Sequence, residues 1–195
     1  MPAGQGPSRR KAGPGWTGAA AAAWGAAEAT LFFFVPDVLL TYVGLTRGVR
    51  AGVVACLWAA AGASLGGAVM YLWSMSDPAG AYAAVMAVPA VSDAMGEAAR
   101  AAMAEQGWFA ATLAGPATST PFKLYAVLAP EAGAAFAAFV AASGLLRLPR
   151  FLVVTVGVAL IGRWLGPRVG ARAVMWMLAA AWVAFYAAFF TLMPN

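Results

Sequence analysis

Glu28, Asp37, Lys123, Arg147 and Arg150 each interrupt an otherwise apolar run, and these five are the residues to which chemistry or cost must attach. Near a bilayer centre each charge costs about 2.5–3.5 kcal/mol on insertion scales, so five facing lipid would cost on the order of 12–18 kcal/mol together. That exceeds the net stability of a typical domain. The five must therefore pair, line a hydrated cavity or lie nearer the interface. Two acids and three bases at similar depth point to mutual pairing. Ser143, Arg147 and Arg150 fall at i, i+4 and i+7, one stripe of a helix that Pro149 would bend. Such a stripe needs something to face. Glu28 and Asp37 could neutralise it, and a phosphate group could replace them, because guanidinium forks match phosphate oxygens and half-helix N-termini add a favourable dipole. The alternative is an ion-pair network that only holds the surrounding segments in place.

Other chemistries are excluded or thinly supported. The chain has no histidine, which removes zincin-type metal sites, Ser-His-Asp and Cys-His hydrolysis, and the usual proton shuttle. Cys56 is the sole cysteine and reads as a small packing residue. No metal, cofactor or catalytic group is expected. Ser119 and Lys123 lie on adjacent turns, but nothing beside them supplies an oxyanion site for a Ser-Lys dyad. Twelve Lys+Arg against seven Asp+Glu in 195 residues leave no basic stripe able to track a phosphodiester backbone, so nucleic acid is not an expected partner.

The elements that must position the five belong to a membrane protein: 63% of residues are hydrophobic, 10% are charged, and mean hydropathy is +0.79. Residues 1–15, with Arg9, Arg10 and Lys11, read as a disordered basic tail, cytoplasmic under the positive-inside rule. Residues 51–76 and 173–193 are clean spans. Three apolar stretches are interrupted. Residues 16–46 hold Glu28, Pro36 and Asp37, and residues 108–130 hold Pro116, Thr118-Ser119-Thr120, Pro121 and Lys123. Residues 132–166 form a third span with Arg147, Pro149 and Arg150 near its middle. The first two read as re-entrant hairpins turning at Pro36 and at Pro116/Pro121, because broken helix is tolerated at membrane depth only where protein or a water cavity supplies partners. Residues 77–107 read as an external, amphipathic connector with Asp93, Glu97 and Arg100 on its polar stripe. The expected fold is thus an all-α integral membrane protein. Two opposed re-entrant helical hairpins join about three transmembrane helices, with the logic of an inverted repeat. Gly62, Gly66 and Gly67 mark a close helix contact, and Trp16, Trp24, Trp108, Trp164 and Trp176 mark interfaces.

The runs Glu28-Ala-Thr-Leu-Phe-Phe-Phe-Val-Pro36-Asp37, Gly62-Ala-Ser-Leu-Gly66-Gly67 with Tyr71, Thr120-Pro121-Phe122-Lys123 and Ser143-Gly-Leu-Leu-Arg147-Leu-Pro-Arg150-Phe151 together resemble the DedA family. This is also called the SNARE-associated or VTT-domain superfamily, and its YqaA-like branch is the part resembled. The resemblance extends from about Trp24 to Gly166. It implies a multi-pass protein of the inner (plasma) membrane that moves lipids between leaflets. The lipids would be polyprenyl phosphate carriers or phospholipids, often with proton coupling. Under it, Glu28 matches the family's membrane-embedded acid, Asp37 lies near its second acid, and Arg147 and Arg150 match its paired basic positions. The chain departs in having Lys123 where the main branch has an arginine in the second hairpin, Asp37 for the more usual Glu, and Ser74 where a Gly often follows the Tyr.

The leading expectation is therefore a flippase-like or scramblase-like transporter of an anionic phospholipid or polyprenyl phosphate. In it Arg147, Arg150 and Lys123 would hold the head group, and Glu28 or Asp37 would carry the proton. A non-transporting membrane assembly or biogenesis factor with a structural charge cluster is the alternative, and a small-ion or drug exporter a third. The expected partners are membrane lipids, protons and a second copy of the chain.

Overall fold

The computed structural model describes residues 14–118 and 120–192. Residues 1–13 of the expected 1–15 tail, with Arg9, Arg10 and Lys11, and Ser119 lie outside the described residues, while Pro14 and Gly15 open the first helix instead of belonging to the tail. Chains rich in alanine and leucine form helix at little entropic cost, and the described residues fold as helices with no strand.

Helix α1, Pro14–Ala29, is followed by an unwound turn and by α2, Asp37–Arg47. Pro36 sets the break: it lacks an N–H and disfavours helical geometry at Val35. Asp37 opens α2 and Arg47 closes it, each at the end that its charge suits. Gly48, at φ 88°, then reverses the chain. At 1.5 Å per residue these arms of 16 and 11 residues are about 24 and 16 Å long, short of the roughly 30 Å hydrocarbon layer. Their free ends meet: the Arg47 guanidinium donates to Thr17 Oγ1 and lies 5.4 Å from the Trp16 ring centroid. The α1–turn–α2 unit is the first hairpin, its two arms packed on the helix that follows rather than on each other.

Helix α3, Val49–Ser76, has 28 residues and is the central post. Glycines let α1 lie directly on it, since a Cβ on Gly62 would strike the Ala22 carbonyl, one on Gly66 that of Ala26, and one on Gly25 that of Ala59. A second set of contacts brings in α8, where Gly144 faces Ala60 and Gly67 faces Ser143.

The connector departs from the expected amphipathic segment over 77–107. It is two helices, α4, Pro78–Met86, and α5, Asp93–Gln106, and the intervening Val88, Ala90 and Val91 are buried. Asp93, Glu97 and Arg100 are exposed on α5 while Gly96, Ala99 and Met103 are buried. The expectation holds for the polar stripe but omits the break, which contains Pro89, uses Ala90 at φ 64° and ends at the Ser92 cap of α5.

A second hairpin follows. Helix α6, Trp108–Ala114, runs into a 3-10 turn at Gly115–Ala117 that contains Pro116, and α7, Phe122–Leu128, starts after Pro121. Each arm has seven residues, about 10 Å. The expected third span is divided into α8, Phe136–Leu145, and α9, Leu148–Val169. Pro149 sits in the first turn of α9, where its missing N–H is harmless, rather than bending a continuous helix. Of the expected Ser143-Arg147-Arg150 stripe, the two arginines reach the acids, while the Ser143 hydroxyl donates to Phe139 O on its own helix.

Helix α10, Ala171–Leu192, ends the described chain with only Val174 fully buried. Among the described residues three segments are long and apolar enough to cross a membrane: Val49–Ser76, Phe136–Val169 and Ala171–Leu192. They expose large side chains, among them Trp58, Leu65, Leu72, Val153, Ile161, Trp176 and Val183, an apolar belt far beyond what a soluble monomer shows. Two buried clusters flank α3. One gathers Ala21, Leu40, Val43, Ala55, Ala59 and Phe151 around the first hairpin; the other gathers Met70, Tyr71, Leu124, Tyr125 and Phe139 around the second.

Candidate functional site

Backbone freed by a broken helix must find partners, and at the first turn each partner comes from a different element. Trp24 Nε1 on α1 donates to Phe34 O at 2.9 Å, Lys123 Nζ on α7 donates to Phe32 O at 3.0 Å, and the Val35 N–H donates to the Tyr186 hydroxyl on α10 at 3.0 Å. The first turn is thus tied to the second hairpin and to the last helix. At the second turn Gly115 O accepts from Thr118 and Thr120, and the two threonine hydroxyls lie 3.0 Å apart.

The five charged residues converge beside the first turn. Glu28, on the last turn of α1, pairs with Arg147 through both guanidinium nitrogens, with the second contact at 3.4 Å. Arg147, nearly buried, also lies 4.0 Å from the centroid of Phe122, so one cation joins the arm of one hairpin to the start of the other's second arm. Arg150 Nη2 lies 3.0 Å from Asp37 Oδ2. That pair is asymmetric: Asp37 is 2% exposed and Arg150 is 40% exposed at the side chain. Among the described residues no group donates an aligned hydrogen bond to either Asp37 oxygen. Lys123 is buried and takes the Phe32 carbonyl rather than an acid. The expected mutual pairing of two acids and three bases is therefore two ion pairs and a lysine on a backbone carbonyl.

The cluster sits near mid-height. Ala26 and Ala29 of α1 abut Gly66, and Gly144 of α8 abuts Ala60, both near the centre of α3. Beside it lies a cavity of about 400 Å³. Glu28, Lys123, Arg147 and Arg150 line it, together with Thr112, Thr120 and Pro121 from the second hairpin. Asp37 is not on this lining; Arg150 stands between it and the space. Of the expected hairpin positions, Pro36 is buried at the start of α2, Pro121 lines the cavity, and Pro116 lies in the 3-10 turn.

Two sets of lining residues carry no sequence signal. Val88–Val91 belong to the connector, and Phe185, Tyr186 and Phe189 belong to α10. An aromatic residue in an apolar helix gives no polar contrast to read. The one available cue is that Tyr186, Phe189 and Phe190 share a helical face at i, i+3 and i+4.

No family model, no curated protein and no solved structure matches the chain.

Proposed function

We propose that the protein is a multi-pass membrane transporter that carries an anionic, phosphate-headed lipid between leaflets through the cavity beside the two hairpin turns. The observation that carries this reading is the unequal state of the two ion pairs. Arg147 is enclosed by Glu28 and the Phe122 ring and works as a brace between the hairpins. Arg150 is partly exposed at the cavity and held by one contact to a buried acid, which leaves guanidinium donors for a phosphate. Lys123 and Thr120 stand on the opposite hairpin at the same cavity.

In this reading both hairpins are re-entrant, inserted from opposite faces, and together with the spanning helices they form an inverted repeat of the DedA kind. Arms too short to cross the hydrocarbon layer, and the arginine bond that closes the first hairpin at its open end, support it. The membrane is the inner (plasma) membrane, with the arginine-rich end in the cytoplasm. When an anion draws Arg150 away, Asp37 is left buried without its counter-charge, and uptake of a proton there would restore neutrality. This is the basis for coupling to a proton gradient.

The experiment is reconstitution into vesicles with labelled lipids of several head groups, with and without a pH gradient. The Asp37→Asn/Arg150→Gln double variant, which removes the second pair without stranding a charge, is expected to fold and to lose transport of anionic lipid. Undiminished transport in that variant would contradict the mechanism. A non-transporting assembly factor predicts instead that the wild-type protein moves no lipid and that charge-pair variants alter only its abundance.

A further inference from the structure

The cavity has two chemically different walls. Lys123, Arg147 and Arg150 supply one, and Phe185, Tyr186 and Phe189 of α10 supply the other, with Phe33 of the first turn beside them. The aromatic wall is also the most weakly attached part of the fold. Apart from Val174 near its start, no residue of α10 is fully buried. Two hydrogen bonds tie it to the first hairpin: Tyr186 accepts from Val35 N–H at 3.0 Å, and Trp182 Nε1 donates to Thr41 Oγ1 at 3.1 Å. From Tyr186 onward the seam is closed by tilted rings, with the Phe33 centroid 6.0, 5.2 and 5.0 Å from those of Tyr186, Phe189 and Phe190. Ring contacts of this kind yield to a slender hydrocarbon without leaving a polar group unsatisfied. The outer sides of the same segments, at Phe34, Val183 and Phe190, are exposed.

We propose that the seam between the first hairpin turn and α10 is a binding site for the hydrocarbon chain of a phosphate-headed lipid whose head group occupies the cationic wall. The lipid then lies with its head in the cavity and its chain passing between Phe33 and the Tyr186/Phe189 face into the surrounding acyl layer. A half-open cavity with cations on one side and an apolar, loosely packed exit on the other matches an amphiphile; a free anion would leave the aromatic wall without a role. The inference rests on the lipid-carrier reading and adds the route by which the lipid is held and admitted.

The test uses the full chain in nanodiscs doped with one of two photoactivatable lipids, a phosphatidic acid or a phosphatidylcholine. Each bears a diazirine high on one acyl chain, and adducts are mapped by mass spectrometry. The expected result is adducts on Phe33, Tyr186 or Phe189 several-fold more abundant with phosphatidic acid, while outward residues of α10 such as Trp176 and Val183 label equally with both. In Asp37→Asn/Arg150→Gln protein the seam adducts should fall toward the outward level. The two-lipid comparison on the unaltered chain needs no variant. Labelling of the seam no greater than that of the outward face, for both lipids, would overturn the chain site and leave the transport reading to its own assay. Seam adducts equal for both lipids would overturn the link between chain and head group. Anion-selective adducts that persist in the double variant would overturn Arg150 as the head-group contact.

Discussion

Arg147 is held by a carboxylate and an aromatic face at once, and what happens when it is removed separates bracing from binding. Arg147→Ala leaves Glu28 largely out of solvent without its ion-pair partner, and losing one partner of a buried pair costs about 3–5 kcal/mol. The expected outcome is a destabilisation of that order in denaturant unfolding in detergent. The companion variant Glu28→Leu/Arg147→Met, which replaces the pair by apolar bulk, should regain most of the loss, because an excised buried pair is often neutral. A double variant as unstable as the single one would show that the pair holds more than its own charges. The sequence alone makes these residues conspicuous, since a charge within an apolar run is costly wherever it points. It does not say which arginine meets which acid. That is decided by the glycine contacts that set the height of α1 against α3, and by the break at Leu146 and Arg147 that turns the two guanidiniums toward different partners.

Hairpins depend on what replaces their lost helical hydrogen bonds, and here the replacements are distant in sequence. The Val35 N–H and the Tyr186 hydroxyl are 151 residues apart. Tyr186→Phe removes the acceptor and should cost about 1–3 kcal/mol, the penalty for one unsatisfied buried group, read as faster amide exchange at Val35 and a lower unfolding midpoint. Gly62→Leu should be worse. It forces α1 off α3 at the Ala22 carbonyl, and overpacking of this kind costs about 1–3 kcal/mol or more. The loss should be visible as reduced thermal stability and as Glu28→Gln no longer adding to the damage. Of these elements, the breaks at Pro36 and Pro121 and the Gly62-Gly66-Gly67 face are legible because proline and glycine act locally. The split connector is legible only in part: Pro89 and the Ser92 cap mark a break, but no residue type there announces the positive φ at Ala90. The role of α10 is likewise hidden, since its cavity-facing rings look like any others in an apolar helix.

At the scale of the whole molecule, charge is divided between the two ends. Arg47 ends α2 and Arg50 lies in the first turn of α3, and Leu45 packs beside Gly162, so Arg163, Arg168 and Arg172 lie toward the same end. Asp77, Asp93, Glu97, Glu105 and Glu131 lie toward the other end, where Arg100 pairs with Glu131 at 3.3 Å. In the proposed reading that division puts the arginines in the cytoplasm, and each hairpin then leaves by the face through which it enters. Cysteine accessibility in intact cells tests this most directly, using Cys56→Ala protein with single cysteines at Trp16, Thr46, Gln106 and Ala135 and a membrane-impermeant maleimide. The account predicts that Trp16→Cys and Thr46→Cys are both protected until the membrane is opened, while Gln106→Cys and Ala135→Cys both label from outside. Labelling of Trp16→Cys and Thr46→Cys from opposite faces would mean that the first hairpin threads the bilayer, and the central cavity would lose the two half-inserted turns that frame it.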